Sequence, residues 1–236
     1  MEQNLIYIEE PLRLLIVEDN MKHLEDAKTE MQRRIEAGTK FEPFYASTLR
    51  DARAIVEEAF KSPRHIDGVI TDIFYPTGIE DDRNIRFSLK EMFRSWENNY
   101  RAPRIWQEVL RWSEGTSMPP SGAYLASELR GKNVPVVLCT DGWHHGDAIQ
   151  SAYSWASENE IGFVDNNKSD ERLTDKKYWG EAYCKLINQI ARKVVRFPKE
   201  YAEINRKMKD THDSFVRAFC LNRDFANHNA YLFGND

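Results

Sequence analysis

The stretch Leu14–Asn20, L-L-I-V-E-D-N, is the part of the sequence that decides the fold. Four branched apolar residues form a run that is too short for a helix, and the acidic pair Glu18 and Asp19 ends it. Such a run is typical of a strand buried on both faces of a parallel sheet. The acidic pair then lies at the carboxyl end of that strand, where open α/β sheets bind their ligands.

Five runs of this kind alternate with segments of helical period. Parallel neighbours need a crossover connection, which is usually a helix, so the alternation predicts a parallel sheet with helices on both faces. The count is that of a flavodoxin-like, doubly wound, five-stranded α/β fold. The predicted strands are Arg13–Val17, Phe41–Ala46, Ile66–Thr71, Val134–Thr140 and Ile161–Val164. The predicted helices are Lys22–Glu36, Leu49–Lys61, Ala123–Arg130, Asp147–Glu158 and Asp175–Val195.

Two segments fall outside this alternation. Residues 77–120 separate the third strand from the third helix, where a few residues normally suffice. Because their apolar residues recur at helical spacing, we predict a helical insertion within a domain of residues 1–195, followed by a helical C-terminal extension, 196–236. The insertion is either the core of a helical hairpin or a partner-binding or lid surface. The extension carries either an intramolecular packing face or the seam of a homodimer.

Composition excludes several classes of partner and location. The 236 residues carry 33 Lys and Arg against 38 Asp and Glu, a net charge of −5, which does not favour nucleic acid or anionic lipid as a partner. The three cysteines are far apart and match neither a disulfide framework nor paired zinc ligands. No apolar stretch approaches the roughly 18 residues that cross a bilayer, and the N-terminus is acidic where a signal peptide is basic. We therefore predict a cytoplasmic protein.

Polar residues end three of the predicted strands. Glu18 and Asp19 follow the first, Asp72 follows the third, and Thr140 ends the fourth. These ends converge in a doubly wound sheet, and converging carboxylates repel one another unless a cation joins them. A hard, oxygen-lined site suits Mg²⁺ better than zinc. Since a carboxylate beside Mg²⁺ can attack phosphorus, the pattern predicts a phosphoryl-accepting site.

With these motifs in order, residues 13–195 apart from the insertion resemble the receiver domain of two-component response regulators. L-L-I-V-E-D-N resembles the first strand with its metal-binding acidic pair, and V-I-T-D-I-F-Y-P the third strand, with Asp72 at the phosphoacceptor position and Pro76 four residues on. P-S-G-A-Y-L-A-S-E-L-R resembles the start of the third helix, displaced by the insertion. V-P-V-V-L-C-T resembles the fourth strand, with Thr140 as the switch hydroxyl.

The resemblance implies a signalling domain rather than a turnover enzyme. Asp72 would accept a phosphoryl group from a histidine kinase or phosphotransfer protein, and Thr140 and the switch aromatic Phe163 would then reorient. The output would be a contact with a downstream protein through the insertion or the extension, because no DNA-binding pattern follows the last helix. The implied Mg²⁺ ligands are Glu18, Asp19, Asp72 and the backbone carbonyl of Phe74.

Two positions depart from the family pattern. Receivers carry a lysine three residues after the switch aromatic, where this chain has Asn166; the nearest lysine is Lys168. Either the loop is longer and Lys168 reaches the phosphoryl group, or the lysine is missing. Asp141 follows Thr140 where the family has a small residue, and its carboxylate would repel an incoming anion or add a metal ligand.

These departures leave two other functions open. The first is a degenerate receiver that acts as a phosphorylation-independent protein-interaction module. The second is a haloacid-dehalogenase-like phosphohydrolase, because the D-I-F-Y-P-T-G segment resembles the aspartate-nucleophile loop of that family. That enzyme family needs a second aspartate two residues after the nucleophile as general acid, and Phe74 occupies that position.

Overall fold

The computed structural model describes residues 11–62, 64–94, 97, 103–141, 147–165 and 177–196, with 103, 147, 148 and 191–196 described by their backbone alone. The strands are β1 (Leu12–Val17), β2 (Phe41–Ala46), β3 (Gly68–Thr71), β4 (Val136–Thr140) and β5 (Gly162–Asp165). The helices are α1 (Met21–Glu36), α2 (Leu49–Lys61), α3 (Arg83–Met92), α4 (Pro103–Glu114), α5 (Ser121–Gly131), α6 (Asp147–Glu158) and α7 (Trp179–Arg196). The strands form one parallel sheet in the order β2-β1-β3-β4-β5. This confirms the predicted flavodoxin-like α/β fold with additional helices.

Strand β1 is buried on both faces, as its apolar run predicts. Its last four residues expose at most 1% of their surface. Leu15 and Val17 point into one hydrophobic cluster, and Leu14 and Ile16 into the other. This alternation follows from the period of two along a strand, and it leaves the first polar residue after β1 at the edge of the sheet.

The two faces of the sheet are covered unequally. Helices α1 and α7 cover one face, whereas α2, α5 and α6 cover the other together with α3 and α4. The larger cluster is therefore on the face that also receives the helices of the insertion. Among the described residues, no helix combines the length and the apolar composition needed to cross a bilayer.

Three elements begin two or more residues later than the sequence predicts. Strand β3 begins at Gly68 because Asp67 uses its side chain to accept from the Arg13 N–H at 2.8 Å. Strand β4 begins at Val136, just after Pro135, which has no N–H to donate. Helix α7 begins at Trp179 rather than at residue 175, since the Tyr178 carbonyl accepts the first helical hydrogen bond, from Ala182 at 3.0 Å. This last difference changes the interpretation of the site.

The insertion is helical, as predicted, and contributes α3 and α4. Four residues of its apolar stripes are buried in the larger cluster: Leu89, Phe93, Val109 and Trp112. Their burial favours a hairpin core over a free binding surface for these stripes. The predicted C-terminal extension lies outside the described residues apart from the end of α7, and so its helical character and a homodimer seam stay predictions.

Candidate functional site

Three acidic residues meet at the carboxyl edge of the sheet. The sheet ladder continues one residue beyond the strands, because the Glu18 N–H donates to the Ala46 carbonyl at 2.9 Å and the Asp72 N–H donates to the Val17 carbonyl at 2.8 Å. Glu18 is fully buried, Asp72 is 8% exposed and Asp19 is half-buried. Carboxylate oxygens of Glu18, Asp19 and Asp72 lie within 4.8 Å of one another. The structure therefore brings together the three residues that the sequence singled out.

The electrostatics of the cluster disfavour three free carboxylates. Burial raises the pKa of Glu18 to about 7, and the nearby Asp72 carboxylate adds to this rise. Burial and Asp72 also raise the pKa of Asp19. Both shifts have the same causes, which are lost hydration and repulsion between like charges. A cation in the pocket would relieve both.

Lys177 supplies one such cation. Its Nζ forms an ion pair with Asp72 Oδ1 at 2.9 Å and donates to Glu18 Oε2, and the side chain is 98% buried. Burial alone would lower the pKa of Lys177, but the Asp72 and Glu18 carboxylates outweigh that effect and raise it. Lys177 is therefore a charged ammonium at neutral pH, and it joins the two most buried acids of the cluster.

Backbone N–H groups also donate hydrogen bonds to the Glu18 and Asp72 carboxylates. The Asn20 N–H donates to Glu18 Oε1 at 3.1 Å, and the Ile73 N–H donates to Asp72 Oδ1 at 2.7 Å. Asn20 also caps α1, because its Oδ1 accepts from the Lys22 N–H at 3.0 Å. Helix α1 and the acidic pair are thus positioned by the same turn.

Helix α5 packs directly against the backbone of Asp72. The Gly122 N–H donates to the Ile73 carbonyl at 3.0 Å. A Cβ atom at Gly122 would lie 1.9 Å from the Asp72 carbonyl oxygen and 3.1 Å from the Ile73 Cα. Only glycine fits this close approach, which explains why a glycine stands at the start of α5.

Sequence reasoning missed Lys177. Lys168 and Asn166, the two residues considered for the lysine position, lie outside the described residues. Lys177 had been assigned to the last helix, because that helix was predicted to begin at residue 175. A usable signal was present, since Lys176-Lys177 follows β5 and the predicted acidic cluster requires a cation.

The two proposed switch residues occupy the expected strands. Thr140 ends β4 and is 1% exposed. Phe163 lies on β5, and its half-buried ring packs edge-on against Tyr153 of α6, with centroids 5.3 Å apart. Their role in switching stays a prediction.

Asp141, the second departure from the family pattern, lies beside a buried histidine. Its Oδ2 is 3.9 Å from the Nε2 of His23, which is 2% exposed. Burial and the Lys177 ammonium lower the pKa of His23, whereas Asp141 acts in the opposite direction. His23 is therefore uncharged at neutral pH and does not neutralise the Asp141 carboxylate.

The donor set fits a divalent cation. Three carboxylates and one ammonium leave two formal negative charges, which one divalent ion would neutralise. The ligand atoms are all hard oxygens, as Mg²⁺ prefers. The backbone carbonyl of Phe74 as a further metal ligand stays a prediction. The Phe74 ring itself packs against Trp112, with ring centroids 6.1 Å apart.

Comparison of the chain with protein-family models, with curated proteins and with solved structures gave no match.

Proposed function

We propose that the protein is a receiver-like signalling domain that accepts a phosphoryl group on Asp72 with the help of Mg²⁺. The observation that carries the proposal is the Lys177 ammonium, which bridges Asp72 and Glu18 inside a carboxylate cluster at the edge of a five-stranded parallel sheet. A buried cation beside a buried nucleophile is suited to pair with an anion that is transferred to that nucleophile. Because Lys177 was not part of the sequence argument, it is independent support for the proposal.

The transfer assigns a role to each atom of Asp72. Oδ1 accepts from the Ile73 N–H and forms the ion pair with Lys177, so the attacking oxygen is Oδ2. Oδ2 forms a bond to phosphorus as the bond between phosphorus and the donor breaks, and the donor leaves with the electron pair. The donor is a phosphohistidine of a kinase or phosphotransfer protein. Lys177 then pairs with a phosphoryl oxygen, and bound Mg²⁺ would offset charge on the others.

The output is a change in protein contacts. Thr140 and Phe163 sit at or near the ends of β4 and β5, beside α6, and their reorientation would alter the surface presented to a downstream partner. Such a response is a two-state element biased by a local charge.

Labelling by a small phosphoryl donor tests the proposal. The full chain is incubated with acetyl phosphate and Mg²⁺ and analysed by intact mass. We expect one added phosphoryl group that is lost in base and is absent in Asp72→Asn. The control is Asp67→Asn, which changes a carboxyl group at the opposite end of β3 and is expected to label normally. Unlabelled wild-type protein, or equal labelling of Asp72→Asn, would reject the proposal.

The phosphorylation-independent interaction module remains the second candidate, and Asp141 is the observation that favours it. Its carboxylate follows Thr140 and is not neutralised by the uncharged His23, so it would repel an incoming phosphoryl anion. If the repulsion only slows transfer, Asp141→Asn should label about fivefold faster than wild type. Removal of the repulsion between two like charges would lower the activation free energy of transfer by about 1 kcal/mol. The matched control is Asp51→Asn, the same charge change on the exposed first turn of α2. Failure of both wild type and Asp141→Asn to label would favour the interaction module.

A further inference from the structure

The helices of the insertion pack into the core beside residues 72–77, which follow β3 and are called the acceptor loop below. Arg86 of α3 donates from Nη1 to the Trp112 carbonyl of α4 at 2.7 Å, and its Nε pairs with Asp82 at 2.8 Å. Asp82 in turn accepts from the Thr77 hydroxyl at 3.2 Å. Thr77 lies five residues after Asp72, so polar contacts tie the acceptor loop to both helices of the insertion.

Aromatic rings continue this connection through the interior. The Phe74 ring, two residues after Asp72, lies 6.1 Å from the Trp112 ring between centroids. Trp112 and Phe93 are 5.4 Å apart, and Phe93 and Trp155 are 6.1 Å apart. Trp155 belongs to α6, and each of the four residues is at most 7% exposed.

Helix α6 is the element that follows β4, the strand that ends at Thr140. It begins seven residues after Thr140, and Tyr153 on it contacts the Phe163 ring. Within the sheet, β4 and β5 connect Asp72 to this helix. Here a second, fully packed route runs from the acceptor loop through α4 and α3 to the same helix.

We infer that the insertion is an allosteric coupling element, through which a phosphoryl group on Asp72 alters α6. The inference rests on the proposed function, because it names the regulation of that same site. Tightly packed interiors transmit strain rather than absorb it, so a shift at Phe74 displaces Trp112 and its neighbours. Coupling between two sites is reciprocal for binding free energies, so a change that stabilises the altered state of α6 also strengthens the binding of a phosphoryl mimic at Asp72.

The test separates occupancy of the pocket from the response of α6. Mg²⁺ and beryllofluoride, a mimic of the phosphoryl group, are added to the full chain; fluorine NMR reports the adduct, and hydrogen exchange reports the amides of α3, α4 and α6. In wild type we expect exchange in α6 to change by about fivefold or more, the low end of allosteric coupling. Trp112→Leu and Phe93→Leu should bind beryllofluoride but lose most of the α6 response, while Trp112→Phe retains part of it.

The matched control is Phe41→Leu, which removes a buried ring that contacts Tyr183 on the opposite face of the sheet. It should keep the full α6 response. An adduct with no change in α6, or an unchanged response in both Trp112→Leu and Phe93→Leu, overturns the coupling and leaves the proposed function standing. Failure to form any adduct overturns the proposed function itself.

Discussion

Replacement of Lys177 by Met is expected to lower the free energy of unfolding by about 3 kcal/mol, because removal of one partner from a buried ion pair leaves its charge uncompensated. In this chain two carboxylates, those of Glu18 and Asp72, lose their cation at once. Chemical denaturation without divalent ions measures the loss. Mg²⁺ should then stabilise Lys177→Met more than wild type, since the ion supplies the positive charge that the variant lacks.

Two comparisons isolate the electrostatic cause. Lys185→Met removes an exposed lysine of α7 that donates to the Phe163 carbonyl at 2.8 Å, and we expect it to change stability by less than about 1 kcal/mol. The double variant Glu18→Gln with Lys177→Met should recover about 2 kcal/mol of the loss, as expected for directly coupled residues. A loss of equal size in Lys185→Met, or no recovery in the double variant, would contradict the assigned role of Lys177.

Gly122→Ala is expected to destabilise the fold by about 3 kcal/mol, at the upper end of the usual effect of overpacking. The new methyl group would meet the Asp72 carbonyl oxygen at 1.9 Å, and neither backbone can yield without moving α5 or the acceptor residue. We also expect labelling by acetyl phosphate to fall, because the displaced backbone carries the Asp72 carboxylate with it. Thermal or chemical denaturation and intact-mass labelling measure the two effects.

The control lies on the same helix. Gly131, the last residue of α5, has no atom within 4 Å of an added Cβ. Gly131→Ala should therefore leave stability unchanged or raise it by up to about 1 kcal/mol, because alanine has the higher helix propensity. Equal effects of the two substitutions would show that the close approach at Gly122 is not what holds α5 in place.

The sheet and the acidic cluster followed from the sequence because they depend on local patterns. Burial on both faces makes β1 and β3 largely apolar runs, and the first charged residue after each run marks its carboxyl end. Parallel strands bring those ends together, so Glu18, Asp19 and Asp72 were predicted as neighbours without any long-range information.

Lys177 could not be placed by the same reasoning. A lysine side chain is long and flexible, and its distance along the chain from β5 is not fixed by any period. The helical period also extended back over residue 177, although α7 begins only at Trp179. Charge balance around three carboxylates was a physical constraint that required a cation, but it did not point to a particular lysine among Lys168, Lys176 and Lys177.

The insertion was predicted as helical, but the elements against which it packs were not. Spacing identifies an apolar face and says nothing about its partner. The contact of Phe93 with Trp155 and the hydrogen bond from Arg86 to the Trp112 carbonyl join segments that are far apart in sequence. Only the fold reveals them, and they carry the inference of coupling.

Reductive trapping of the phosphorylated residue is the most direct measurement of the proposed function. After incubation with acetyl phosphate and Mg²⁺, borohydride converts an aspartyl phosphate to homoserine, and peptide mass mapping locates the change. We predict conversion at residue 72 alone, and only when both the phosphoryl donor and the metal are present. Conversion at another carboxylate, or none at residue 72 in the folded wild-type protein, would contradict the proposal that Asp72 accepts a phosphoryl group.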